Sequence, residues 1–132
     1  MKNANILIIG SGYVGLTVAV SFASFGFKVV LYDIDSKKLD NLRNGILPIE
    51  EPSLSNFFLE KTKIDLTFSY NVRRSIASSD LISITVGTEV KNGELGLSNF
   101  YLAINTLLQT VDSKKLSLSN LQFQLAQQTK LS

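Results

Sequence analysis

The chain has 132 residues, enough for one domain, and its 45% apolar and 18% charged content is globular rather than disordered. Its 13 basic and 11 acidic residues leave a net charge of +2, too small and too scattered to argue for a nucleic acid. The absences exclude more. Without Cys there are no disulfides, thiolate metal sites or cysteine nucleophiles, and without His the commonest general base and zinc ligand are gone.

From Ala4 to Phe27 no residue is charged, and hydropathy alone would allow a membrane span or a signal peptide. The stretch nevertheless divides into two periods. Ile6-Leu7-Ile8-Ile9 is a short, β-prone run suited to a strand covered on both faces, whereas Val14, Val18 and Phe22, with Phe25, recur at helical spacing. A strand, a tight glycine turn and a buried helix account for the segment, in a soluble, cytosolic chain.

Gly10-Ser11-Gly12-Tyr13-Val14-Gly15 is a G-x-G-x-x-G placed between that strand and that helix. Gly10 permits the tight turn, Gly12 lets a pyrophosphate approach the backbone, and Gly15 lets the helix pack close to the strand. The helix N-terminus offers unpaired N–H groups and its positive dipole end to the phosphates. Such a motif is weak alone, so its context decides. The helix ends near Gly26, and Lys28-Val29-Val30-Leu31-Tyr32 reads as a second buried strand. Asp33 stands at its end, 18 positions after Gly15, where a carboxylate takes the two hydroxyls of an adenosine ribose. An acid there favours NAD, because it repels a 2′-phosphate. The competing reading makes Asp33 or Asp35 the cap of the next helix, a role that suits Asp35 better.

Further along, Ser36 to Asn44 suits a short helix with Gly45 just past its end. Leu47 to Pro52, with both prolines and two glutamates, reads as a loop and Ser53 to Lys61 as a helix. Ile64 to Phe68 is a predicted strand, Val72 to Ser78 a helix and Leu81 to Val86 another strand. Gly87 to Gly96 reads as a polar loop turning at Asn92-Gly93, and Ser98 as the cap of a helix ending near Val111. Strands alternating with helices imply a doubly wound parallel α/β sheet of Rossmann type.

Taken together, these segments resemble the NAD-binding domain of the UDP-glucose/GDP-mannose dehydrogenase family, which oxidises a nucleotide sugar's C6 alcohol to a carboxylate with two NAD. Ile9 to Leu16 matches the family's opening, in which Tyr13-Val14-Gly15-Leu16 is more specific than the glycines. Asp33-Ile34-Asp35, with Lys38 following, matches its ribose-binding segment, which implies ribose contacts for Asp33 and Lys38. Pro48 to Leu54 is similar to the family's PIYEPGL loop, with Glu50 in place of Tyr and Ser53 in place of Gly. Val86-Gly87-Thr88 matches the loop after the fourth strand, where the threonine lies near the cofactor. The resemblance covers residue 3 to about 116 and implies cofactor contacts for Gly10, Gly12, Tyr13, Val14, Gly15, Asp33, Lys38, Val86, Gly87 and Thr88. Departures fall in loops: Glu89 stands where the family usually has Pro, and Gly96 where an Asp precedes Leu-Ser. Glu50 and Glu51 also read as a solvated acidic loop.

The family's catalytic cysteine cannot be here, since the chain has none, and the catalytic lysine and sugar-binding residues belong to parts beyond this domain. A nucleotide sugar is therefore a partner only of a full-length relative. The fold is expected to be incomplete at its C-terminal end, with a dinucleotide-binding domain over 1–116 and an atypical tail over 117–132. Where the family continues with a segment resembling KSTVPVGTT, this chain reads Ser119 to Gln128. Those ten residues can be written TCA AAT CTA CAG TTC CAG TTG GCA CAA CAA, and the same letters read from the third base give KSTVPVGTT. A single-base frameshift near codon 116 explains the coincidence, and the codons of the gene would show it directly. Leu121, Phe123 and Leu125 alternate, so the tail can imitate a fifth strand, or else form a sticky edge or a frayed end. Three readings stay open at this point: an NAD-binding domain of a nucleotide-sugar 6-dehydrogenase, a remnant without a role, and another Rossmann module.

Overall fold

The computed structural model describes residues 3–47, 52–59, 64–110 and 121–127. Ile6, Leu7, Ile8 and Ile9 are each no more than 6% exposed, as a strand covered on both faces requires. That strand, β1 (Asn5–Ile9), runs parallel to β2 (Lys28–Tyr32), with Asn5 opposite Lys28 and Ile9 opposite Tyr32. Between them lies α1 (Tyr13–Ser24). It ends because Gly26 takes a positive φ of 93°, so that Gly26 N–H donates to Ala23 O at 3.0 Å and Phe27 N–H to Phe22 O at 3.2 Å. The Phe22 and Phe27 rings meet edge to face over this turn, 5.8 Å apart.

After β2, Asp35 caps α2 (Ser36–Arg43) by accepting the Lys37 N–H at 3.0 Å. Pro52 opens α3 (Pro52–Leu59), where its missing N–H costs the helix nothing. There follow β3 (Leu66–Ser69), α4 (Val72–Ala77), β4 (Leu81–Lys91), β5 (Glu94–Gly96), α5 (Ser98–Thr110) and β6 (Leu121–Gln127). Pro48 to Glu51, and the stretch from 117 to Asn120, lie outside the described residues.

The parallel strands stand in the order β3-β2-β1-β4-β6, that is 3-2-1-4-5 among themselves, the order of a nucleotide-binding doubly wound sheet. One face packs Ile6, Ile8, Val29 and Leu31 against Leu16, Ala19, Val20 and Ala23 of α1, with Leu54 of α3. The other packs Leu7, Ile9, Ile82 and Ile84 against Ile76 of α4 and Ala103 and Leu107 of α5. The tail segment Leu121–Gln127 runs parallel to β4 from Ile82 to Thr88 and takes the fifth place.

One reading needs correction. Gly87 to Gly96 is not a loop: β4 continues to Lys91, and residues Glu89 to Lys91 pair antiparallel with β5. The cause is the turn itself. Asn92 and Gly93 have φ of 55° and 77°, the doubly left-handed turn whose twist matches a two-stranded ribbon, so the flanks are drawn into a hairpin with Val90 opposite Leu95. The uncharged stretch from Ala4 to Phe27 is, as its two periods indicate, a 5-residue strand followed by a 12-residue helix. No described helix is long and apolar enough to cross a membrane.

The Ser83 hydroxyl on β4 is fully buried and has no hydrogen-bond partner among the described residues. A buried unpaired hydroxyl costs about 1–3 kcal/mol. Ser83→Ala is therefore expected to stabilise the domain by about 1 kcal/mol, read as a higher midpoint of thermal unfolding. A lower midpoint would show the hydroxyl to be paired in solution.

Candidate functional site

In an open parallel sheet, ligands sit beyond the carboxyl ends of the strands where the chain connections diverge to opposite sides. Here that point lies between β1 and β4, and a cleft of about 220 Å³ opens there. Gly10, Ser11 and Gly12 enter it from the turn after β1, and Asp33, Ile34 and Asp35 from the end of β2. Lys38 comes from α2, Val86 and Gly87 from β4, and Asn99, Leu102 and Thr106 from α5.

The three glycines answer to different constraints. Gly10 has φ +111°, and a Cβ there would collide with the Thr85 carbonyl, whose carbon lies 2.7 Å from its ideal position. Gly15 sits under the turn, where a Cβ would overlap the Gly10 carbonyl oxygen and the Thr85 hydroxyl. Gly12 differs, since a Cβ there would meet nothing within 4 Å. It is the N-cap of α1 and supplies no side-chain acceptor, so the first-turn N–H groups face that opening uncapped. A cradle that a side chain would fill, at a helix N-terminus, suits a phosphate.

Thr85 ties the turn to β4. Its buried Oγ1 donates to Gly10 O at 3.0 Å, with Ile9 O at 3.3 Å as an alternative acceptor. The Gly10 N–H donates in turn to Tyr32 O at 2.8 Å, so β1, β2 and β4 meet at one residue. Burial, and then the neighbouring Asp33 charge, raise the Tyr32 phenol above its ordinary pKa, which keeps it neutral at the edge of the cleft.

The Asp33 carboxylate does not cap α2. Its Oδ2 accepts from the Ser11 N–H at 2.8 Å and from Ser11 Oγ at 2.6 Å, and its Oδ1 accepts from the Asp35 N–H at 2.9 Å. Asp33 and Asp35 thus divide the two roles left open by the sequence, with Asp33 in the cleft and Asp35 on the helix.

Of the expected site residues, Gly10, Gly12, Asp33, Lys38, Val86 and Gly87 are brought to the cleft. Tyr13 is 46% exposed on the first turn of α1 and does not line it; nor does Val14, and Gly15 packs behind the turn. The Thr88 side chain lies outside what is described, though its backbone pairs with Gln127. Sequence reasoning missed Ser11, Thr85 and Asn99, whose Nδ2 reaches Gly87 O at 3.5 Å. For Thr85 a signal existed: a hydroxyl residue inside an apolar strand needs a buried acceptor.

The model of the UDP-glucose/GDP-mannose dehydrogenase family's NAD binding domain matches residues 4–120. The chain belongs to this family. A UDP-glucose 6-dehydrogenase of Bacillus subtilis is 42% identical over 113 residues, 83% of this chain and 24% of its own length. One from Rhizobium meliloti is 39% identical over 90 residues, 67% of this chain and 21% of its own. Among solved structures, a ternary complex of GDP-mannose dehydrogenase from Pseudomonas aeruginosa superposes with a TM-score of 0.75 at 30% identity, over 83% of this chain and 26% of that one. The UDP-D-ManNAc dehydrogenase of Pyrococcus horikoshii gives 0.78 at 28% identity, over 92% and 28%. The chain spans about a quarter of the length of these UDP-glucose/GDP-mannose dehydrogenase family members. A glycerol-3-phosphate dehydrogenase of Coxiella burnetii, 19% identical with a TM-score of 0.62, shares the fold alone. The doubly wound Rossmann architecture and the NAD-binding assignment hold, and the chain is the NAD-binding domain of this family.

Proposed function

We propose that the domain holds NAD mainly through its ADP half, as the cofactor-binding part of a nucleotide-sugar 6-dehydrogenase that oxidises a sugar C6 alcohol to a uronic acid in the cytoplasm. The observation that carries this reading is the open approach to Gly12 in the same cleft as the Asp33 carboxylate. The uncapped α1 N-terminus would take the pyrophosphate, Asp33 and Lys38 the ribose, and Val86, Gly87 and Thr88 the side towards the nicotinamide. Tyr13, Val14 and Gly15 contribute as the first turn of α1, through their backbone rather than as cleft lining. Bound NAD supplies the hydride acceptor. The 132 residues contain no Cys, so a thiol nucleophile for the second oxidation is not among them.

The cleft's volume, about 220 Å³, falls short of the roughly 300–1,000 Å³ of ordinary small-ligand sites, and it suits part of a dinucleotide. Calorimetric titration should therefore give comparable affinities for NAD and ADP-ribose. Asp33→Ala should weaken both by roughly tenfold or more, as loss of a charged hydrogen-bond partner does. A strong preference for NAD would overturn the ADP-half reading, and no heat at all from a chain shown to be folded would overturn cofactor binding itself.

A further inference from the structure

We propose that Ser11 is a positioning residue that fixes the Asp33 carboxylate, so that the phosphate turn and the ribose-binding end of β2 act as one unit; the inference rests on the cofactor reading above. Ser11 is the only described residue that gives Asp33 two donors, its N–H and its Oγ, at 2.8 and 2.6 Å on the same oxygen. It does so across 22 residues of sequence, from a different element, while only 1% exposed. Hydrogen bonds to a carboxylate are shorter and roughly twice as strong as neutral ones, and the 2.6 Å contact lies in that range.

Two consequences follow from counting acceptors. A carboxylate offers about four acceptor positions. Oδ2 faces both Ser11 donors and Oδ1 faces the Asp35 N–H, so the plane of the carboxylate is set before any ligand arrives. The Ser11 N–H, committed to Asp33, is also not a phosphate donor. An anion at the turn must then be held by groups from Gly12 onward, on the open side of α1. Alanine at position 11 would keep the N–H and lose the hydroxyl, leaving the carboxylate on two backbone amides.

A double-mutant cycle with ADP-ribose as the titrant tests this. Ser11→Ala is expected to weaken binding roughly tenfold in the wild-type background. Added to Asp33→Ala, the same substitution should change affinity less than about twofold, because its effect passes through Asp33. Equal losses in both backgrounds would overturn the proposal, since Ser11 would then act on the ligand or on the fold directly. Amide hydrogen exchange gives a second readout that needs no ligand. Asp33→Ala should speed exchange at the Ser11 amide at least tenfold while leaving Gly10 and Leu16 protected, as these donate to Tyr32 O and Gly12 O. If the wild-type chain binds no adenine dinucleotide, the cofactor reading fails, and exchange alone decides the tie: an unchanged Ser11 amide overturns it. Should Asp33→Ala not fold, Asp33→Leu, which keeps the shape but removes both acceptor oxygens, serves in both measurements.

Discussion

Replacing Gly15 by alanine is expected to unfold the domain at temperatures the wild type tolerates. The added methyl has no space: it would overlap the Gly10 carbonyl oxygen and Thr85 Oγ1, with the Gly10 carbonyl carbon 2.9 Å away. Two of these three atoms are backbone, and that backbone is itself held by the Thr85 and Tyr32 hydrogen bonds, so no rotamer change relieves the clash. Overpacking a well-filled site costs about 1–3 kcal/mol, and a clash against fixed backbone belongs at or above the upper end. For a chain of this size a loss of about 3 kcal/mol lowers the melting midpoint by roughly 10 °C. Differential scanning calorimetry of G15A checks it, and an unchanged midpoint would mean that α1 sits farther from β1 than described.

Gly12→Ala is expected to do the opposite, leaving stability within about 1 kcal/mol and abolishing most of the binding. Gly12 has an ordinary φ of −70°, and its Cβ would enter open space, so the fold has no reason to object. That open space is where the proposed pyrophosphate would come against the backbone. Losing one or two charge-assisted bonds there costs about 1.5–3 kcal/mol, a roughly 10- to 150-fold drop in affinity for NAD and ADP-ribose alike. Circular dichroism melts paired with titration of G12A separate the two effects. Full affinity in a folded variant would move the phosphate away from this turn.

The contrast explains what could be read in the sequence. Where the chain's demands are local, the reading succeeded: Lys28 to Tyr32 is a strand to the residue, and Asp35 caps its helix two residues on. The glycine spacing also announced its own geometry: Gly10 and Gly15 answer to neighbours fixed by strand, turn and helix, and Gly12 faces open space. Pairings across long stretches of chain escaped. Ser11 and Asp33 are 22 residues apart, Thr85 and Gly10 are 75, and nothing in either local sequence names the other. The hairpin failed differently. Asn92-Gly93 was recognised as a turn, but the alternation beside it, Glu89-Val90-Lys91 and Glu94-Leu95-Gly96, runs for only three residues on each side, too few to mark strands alone, and the turn geometry sets Val90 opposite Leu95.

Thr85 also sets a timetable. Its bond to Gly10 joins the beginning of the chain to a strand synthesised 75 residues later, and Gly10 is shaped to the Thr85 carbonyl while Gly15 is shaped to the Thr85 hydroxyl and the Gly10 carbonyl. Chains emerge N-terminus first, and contacts of long sequence separation form late because loop closure precedes them. The nascent β1-α1-β2 unit therefore carries every glycine of the turn, and Asp33 as well, without the clamp that gives the turn its final shape. Cofactor affinity is therefore expected to arise only when β4 docks beside β1, and a ribosome-bound chain that ends short of residue 85 is expected to show none.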